Sequence, residues 1–540
     1  MRFWRQAQRA LACAALAGLA AGGILPVGAQ TVAPAVPPLS EAAAANATVL
    51  PLSAPYDPRH PPEGIFDDEW MEIFLAGRKM GYAHDFFRRQ GDTVFSGSRT
   101  ILRLGRLDNV VSVSVQADTE ETLDGSPRAF HCVVNMAQQP QVVDGHGDGT
   151  VFDVTAQSGS FSERQQVTLP AGAVMAWGEQ RLSLLRGYAP GIRYTYQSYA
   201  PEDDYTKPEL TSVVVGGREK VTVQGAEIEA TRVDTRVGGA NGTASLDSVS
   251  WVDAAGREVK TLLPFAGFTL EMRPATAKQA LADYVPADIF TTSLIALKNP
   301  IPANATSVTY DLRRHDGQPL PTPPDSLTEH GKNLPDGSAQ ITLAWPPAAA
   351  AWVPRATGPF DPAPYLERNS FMDTSDPLLR QLAAEGGGPA NALPLNVAAS
   401  LRDFVAAYIT NKTLGVGFAT ASEAARDRAG DCTEHAVLLA ALGRVRGLPT
   451  RVVAGLAYVP DYNGGGPVLG YHMWAQFYLN GQWVDYDAAL SNIPGPPRRL
   501  GLVVRDLNHD SLADFSLSLW QWMSGLEVTV TAGTSPSSAR

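Results

Sequence analysis

The sequence predicts a multidomain α+β protein: β-rich antiparallel N-terminal domains, followed by a compact core of helices and strands. Three observations predict it. From Asp67 to about residue 275, apolar and polar residues alternate between Gly, Asp and Pro turns. After Leu393 the apolar spacing switches to three and four, the period of one helix face. Between residues 430 and 490 a helix pattern is followed by strands that meet at Asn480-Gly481, a two-residue hairpin signature.

Residues 1–29 precede this pattern. Arg2, Arg5 and Arg9 come with no acid, then a weakly apolar run from Leu11 to Val27 ends in Val27-Gly28-Ala29. A basic start, a short apolar run and a small-residue exit read as a secretory signal cleaved near Ala29, with a periplasmic or secreted destination. A retained anchor is the alternative, because the run approaches the span of about 17 residues that a bilayer needs. Cys13 lies too near the basic start to be a lipoprotein cysteine. No later segment is long and apolar enough to span a membrane. Loss of the three arginines would take the formal charge from −12 to −15, which argues against nucleic acid or an anionic membrane as the main partner.

Residues 30–66, rich in Pro, Ala and Ser, read as a flexible leader. A β-rich domain is expected over 67–290, with strands such as TVFSGSRTILRL, NVVSVSVQADTEETL and FHCVVNMA, and a hairpin at Asp253–Gly256. A small β domain and linker follow at 291–360, marked by SVTYDLRR and AQITLAWPP. The core is placed at 361–500, opening with the helix pattern of Leu393, Val397, Leu401, Phe404, Val405 and Tyr408. Residues 501–540 read as a β and helix extension, with a short helix near Phe515–Trp522. A chain of 540 residues has the length for about three such units.

The chemistry concentrates in 421–490. Ala429-Gly430 breaks one short helix, and Asp431-Cys432-Thr433 opens a second that stops at Gly447-Leu448-Pro449. Cys432 therefore falls in a first helical turn, where unpaired N–H groups favour a thiolate and could hold an oxyanion. Its neighbours are polar, whereas Cys132 lies between apolar residues of FHCVVNM and reads as structural. With a two-residue loop at Asn480-Gly481, Leu479 faces Gln482, Trp474 faces Asp487 and His472 faces Ala489. Asp487 is then the diagonal neighbour of His472, within side-chain reach, and Asp485 is one step further away. His472 can take the thiol proton while Asp487 fixes its tautomer. Asp431, Thr433 and Trp474 are candidates for substrate or oxyanion contact.

His435 follows Cys432 by three positions, so a zinc site of Cys432, His435, His472 and an Asp is an alternative. A metal would consume the nucleophile, and a packed helix histidine accounts for His435 as well. Glu434 reads as a first-turn dipole residue. No cofactor and no metal are expected. The aromatic residues Tyr471, Trp474, Trp483 and Tyr486 could line a cleft or pack under the hairpin, and the loop 461–470 could gate it.

These residues resemble the bacterial transglutaminase-like superfamily. The resemblance rests on Gly430-Asp431-Cys432, Gly447-Leu448-Pro449-Thr450-Arg451, His472-Met473-Trp474, and Trp483 with Asp487 four residues later. It implies a papain-like core with Cys432, His472 and Asp487 as nucleophile, base and orienting acid. It implies a protein or peptide substrate, with hydrolysis or acyl transfer to an amine. Two departures stand out. Gln476 occupies a position often acidic in the family, and Ala488-Ala489 replaces a frequent Pro-Thr. A non-catalytic binding or scaffold protein that retains the fold is the alternative from another functional class.

Overall fold

The computed structural model describes residues 53–238, 245–265, 268–302, 305–344, 359–490, 498–508 and 525–534, with Phe515, Ser518, Leu519, Gln521 and Trp522. The expected signal, most of the leader, much of the linker and part of the helix near 515–522 lie outside the described residues. The fold is mixed α+β, with a large antiparallel sheet in front and a domain of helices packed on a smaller sheet behind. Among the described residues, no helix is long and apolar enough to cross a membrane.

Fourteen described strands form the front sheet, an unbroken antiparallel meander that starts in its own middle. The first strand, Gly64–Leu75, pairs on one side with Arg78–Gln90 and on the other with Phe268–Ala275. The chain runs outward to Phe161–Thr168, passes through a helix at Ala176–Arg186, and re-enters at the opposite edge strand, Arg193–Ser198. Val174, just beyond the first edge, donates to Gln197 O and accepts from Tyr199 N, so the two ends of the sheet meet. The helix is held by a buried acid. Glu121 accepts from Trp177 N at 2.6 Å and Gly178 N at 2.8 Å, pairing amides that a helix start leaves without partners.

A second sheet contains Glu329–Asn333, Ala339–Ala344, Ser307–Arg314 and Leu526–Thr534. The last of these comes from the far end of the chain, so the C-terminal strand closes the small sheet. The third sheet carries the site. Its order is Ile295–Ala296, Val468–Leu479, Thr450–Val459 and Arg499–Arg505, with Gln482–Tyr486 paired to Val468–Leu479. The hairpin register is the one Asn480-Gly481 dictates, with Leu479 opposite Gln482 and Ala475 opposite Tyr486.

Helices Pro377–Gly386, Pro394–Tyr408 and Ala421–Asp427 pack around Cys432–Val445, which lies on the sheet. An apolar face at Ala436, Leu439, Leu442 and Val445 would suit a surface helix. Instead, every residue from Cys432 to Arg444 is buried, because helices cover the side that the sheet does not. One apolar cluster runs through all three sheets, including Leu102, Tyr310, Val437 and Leu456.

Candidate active site

Cys432 is the first residue of its helix, and the local sequence explains the geometry. Asp431 is the N-cap, and its Oδ1 accepts from Thr433 N at 2.9 Å. Glu434 folds back so that Oε2 accepts from Asp431 N at 2.9 Å and Oε1 from Ala419 N at 3.1 Å. This capping box needs Gly430, whose φ is 142° and whose missing Cβ would lie 2.4 Å from Glu434 Cβ. The Gly-Asp-Cys run is therefore a folding device that delivers the cysteine to a helix start.

His472 lies within strand Val468–Leu479, opposite Gly455. Its Nε2 bonds Asp487 Oδ2 at 2.8 Å, and its Nδ1 is buried without a hydrogen-bond partner. Asp487 is held from both sides. Oδ1 accepts from Ala489 N and Leu490 N, each at 2.9 Å, and Oδ2 also accepts from Arg499 Nη1. Burial opposes its ionisation, but the His472 and Arg499 charges overcome that and hold the carboxyl well below the usual range. Arg499 escaped the sequence reading; its only mark was a basic pair just ahead of a strand.

Asp485 points elsewhere. It accepts from Trp474 Nε1 at 2.6 Å, Gln476 Nε2 at 2.8 Å and Thr328 Oγ1 at 3.0 Å. Gln476 in turn accepts from Arg451 Nε at 2.7 Å, so this departure from the family pattern serves an internal network. Trp474 is buried and its ring stacks against His472 at 5.9 Å between centroids. Gly455 makes that possible, because a Cβ there would lie 2.8 Å from the indole. Thr433 is also buried, its hydroxyl donated to Asp431. Asp431 is paired with Arg106 of the front sheet. The structure thus gathers Asp431 and Thr433 at the Cys432 helix start and packs Trp474 beside His472.

One expectation changes. The thiol of Cys432 is raised well above its ordinary value, first by burial and then by the Asp431 carboxylate. A Met473 backbone N–H and Arg106 work in the opposite direction and lose. A first-turn position lowers a thiol pKa when the helix end meets water. Here the end is fully covered and its cap is an anion, so desolvation wins. At rest the nucleophile candidate is a protonated thiol.

His435 packs inside the helix bundle. Its Nδ1 bonds Asp431 O, its Nε2 is buried without a partner, and burial lowers its pKa. Among the described residues, no three His, Cys, Asp or Glu side chains converge to hold a metal ion. Cys132 is buried in the front sheet among Phe130, Val143 and Phe152.

Residues 380–488 match the sequence model of the transglutaminase-like superfamily. The C-terminal part of the chain thus carries a transglutaminase-like domain. No curated protein matches the sequence. Among solved structures, a proposed cysteine protease from Cytophaga hutchinsonii is 14% identical, covering 43% of this chain and 84% of its own, at a TM-score of 0.26. A β-barrel-like protein from Brucella abortus is 12% identical over 39% of this chain and 95% of its own, at 0.31. The periplasmic domain of TgpA from Pseudomonas aeruginosa is 20% identical over 34% and 74%, at 0.24.

Proposed function

We propose that the chain is an exported transglutaminase-like cysteine enzyme that acts on protein or peptide amides through a thioacyl intermediate. The observation that carries this reading is the state of His472. One ring nitrogen is committed to a charged, doubly anchored Asp487, and the other is buried with no partner. A buried polar atom without a partner costs about 1–3 kcal/mol, so such an atom calls for a use. In this mechanism Nδ1 receives the Cys432 proton as the sulfur attacks the substrate carbonyl. Because the thiol is protonated at rest, proton loss accompanies C–S bond formation and does not precede binding. The imidazolium, stabilised by Asp487, then protonates the leaving amine. Water or a second amine attacks the thioester and releases Cys432. Export rests on the basic, apolar and small-residue order of residues 1–29.

The test incubates the full chain with a mixed peptide library and a primary amine such as cadaverine. New amino termini report hydrolysis and cadaverine adducts report transfer; either should vanish in Cys432→Ala and His472→Ala. If neither product forms, and Cys432 alkylates only after unfolding, the chain is a binding scaffold on a transglutaminase-like fold.

A further inference from the structure

The most unusual contact at the site comes from outside the transglutaminase-like domain. Arg106 is the last residue of front-sheet strand Thr93–Arg106, 325 positions from Asp431. Its side chain is fully buried, with Nη2 on Asp431 Oδ2 and Nη1 on Val416 O at 2.8 Å. Asp431 is the residue next to Cys432 and caps its helix. We infer that Arg106 is a positioning residue of the Cys432 site, supplied by the front β-sheet to balance the Asp431 charge beside the thiol. This rests on the proposed nucleophilic role of Cys432.

The Cys432 helix itself presents Asp431, Glu434 and His435. The strand packed against it presents His472, backed by Asp487 and Arg499. Arg499 already pairs with Asp487. Lys412 acts on His435 further along the helix, and Arg106 is the cation that pairs with Asp431 itself. Burial, and then proximity to Asp431, raise the pKa of Glu434 above the usual carboxylate range. After burial, the Asp431 carboxylate is the largest influence opposing ionisation of Cys432, and Arg106 is paired directly with it. A surface contact could not do this, since exposed pairs are screened. Other front-sheet contacts hold the same junction. Gln139 N donates to Glu423, and Gly417 packs so tightly on Met136 O that a Cβ would overlap it.

The test is the pH dependence of iodoacetamide labelling at Cys432 in the full chain, read by mass spectrometry. An opposite charge within about 4–6 Å moves the midpoint of a titrating group by about 1–3 pH units. Arg106→Met leaves Asp431 uncompensated, so its profile should move upward, with labelling at a fixed lower pH slowed roughly tenfold or more. Arg106→Met with Asp431→Asn removes both charges and should return the profile to within about half a pH unit of wild type. Arg106→Lys keeps the charge and should stay near wild type. A packing role alone would not produce restoration by the second substitution. Should Arg106→Met fail to fold, Asp431→Asn alone carries the test. Asn remains a good N-cap, and the guanidinium left beside the thiol should move the profile downward.

A folded Arg106→Met protein whose profile overlays wild type, or a double variant that stays shifted, overturns the inference. An unshifted Asp431→Asn profile does the same. Failure of the nucleophile reading itself would show separately, as no amide product in the wild-type chain whatever these profiles do.

Discussion

Asp487→Asn is the sharpest perturbation of the site. The carboxylate accepts four hydrogen bonds, two from backbone amides on Oδ1 and two on Oδ2 from His472 and Arg499. Asparagine can keep both amide bonds through its own Oδ1. Its NH₂ then faces Nε2 of His472, which must become an acceptor, so the ring proton moves to Nδ1. That is the nitrogen the mechanism needs as a base. A wrong tautomer of this kind costs about 10⁴ in turnover in serine proteases, and a fall of about 10³–10⁴ is expected here in amide turnover. Stability should fall too, because Arg499 loses its anion while mostly buried. Breaking a buried pair costs about 3–5 kcal/mol; the surviving amide bonds and the partial exposure of Arg499 place this case near the lower figure. The assays are product formation under saturating peptide and urea unfolding followed by fluorescence. Turnover within tenfold of wild type in a folded variant would refute the orienting role of Asp487. A loss of stability below about 1 kcal/mol would refute the claim that Arg499 depends on it.

Two further outcomes follow from the same structure. Gly430→Ala should destabilise the chain by about 3 kcal/mol in urea titration, combining positive-φ strain with the overlap on Glu434. Glu121 is pushed up to about 7 by burial, against the Gly178 and Trp177 amides that lower it. Unfolded, it ionises near about 4.3. Between those pH values the folded state keeps a proton that the unfolded state has released, so this residue makes stability fall as pH rises, by about 4 kcal/mol in total, and adds no slope above about 7. Glu121→Gln should remove that component, seen as a flatter unfolding midpoint from pH 5 to 7; an unchanged slope would assign the effect to another group.

The parts of the site that local rules govern were legible in the sequence. Helix start, hairpin turn and strand alternation are set by neighbouring residues, so Asn480-Gly481 alone led to the pairing that brings His472 and Asp487 together. What local rules do not govern was not legible. The strand Leu526–Thr534 alternates like its neighbours, but nothing in it says that it pairs with Ser307–Arg314. Arg106 ends an ordinary alternating strand, and Arg499 begins another. Their partners are set by packing across hundreds of residues, where spacing carries no information. The pKa expectation for Cys432 failed for the same reason. A helix start lowers a thiol pKa only while water reaches it, and burial is a tertiary property.

The two arginines suggest why a chain would build a cysteine site this way. Cys432 and His472 are flanked by two anions, Asp431 and Asp487, and each is matched by a guanidinium from a different part of the chain. Removing four charges from water is expensive, and at most the pairs break even on stability. Their consequence is conditional assembly. Asp431 can be ionised, buried and next to the thiol only when the front sheet is docked, and Asp487 only when Arg499–Arg505 has joined the sheet. A chain with either segment undocked would hold an unpaired carboxylate beside Cys432 or His472. The charges around Cys432 and His472 are therefore balanced only in the fully folded protein.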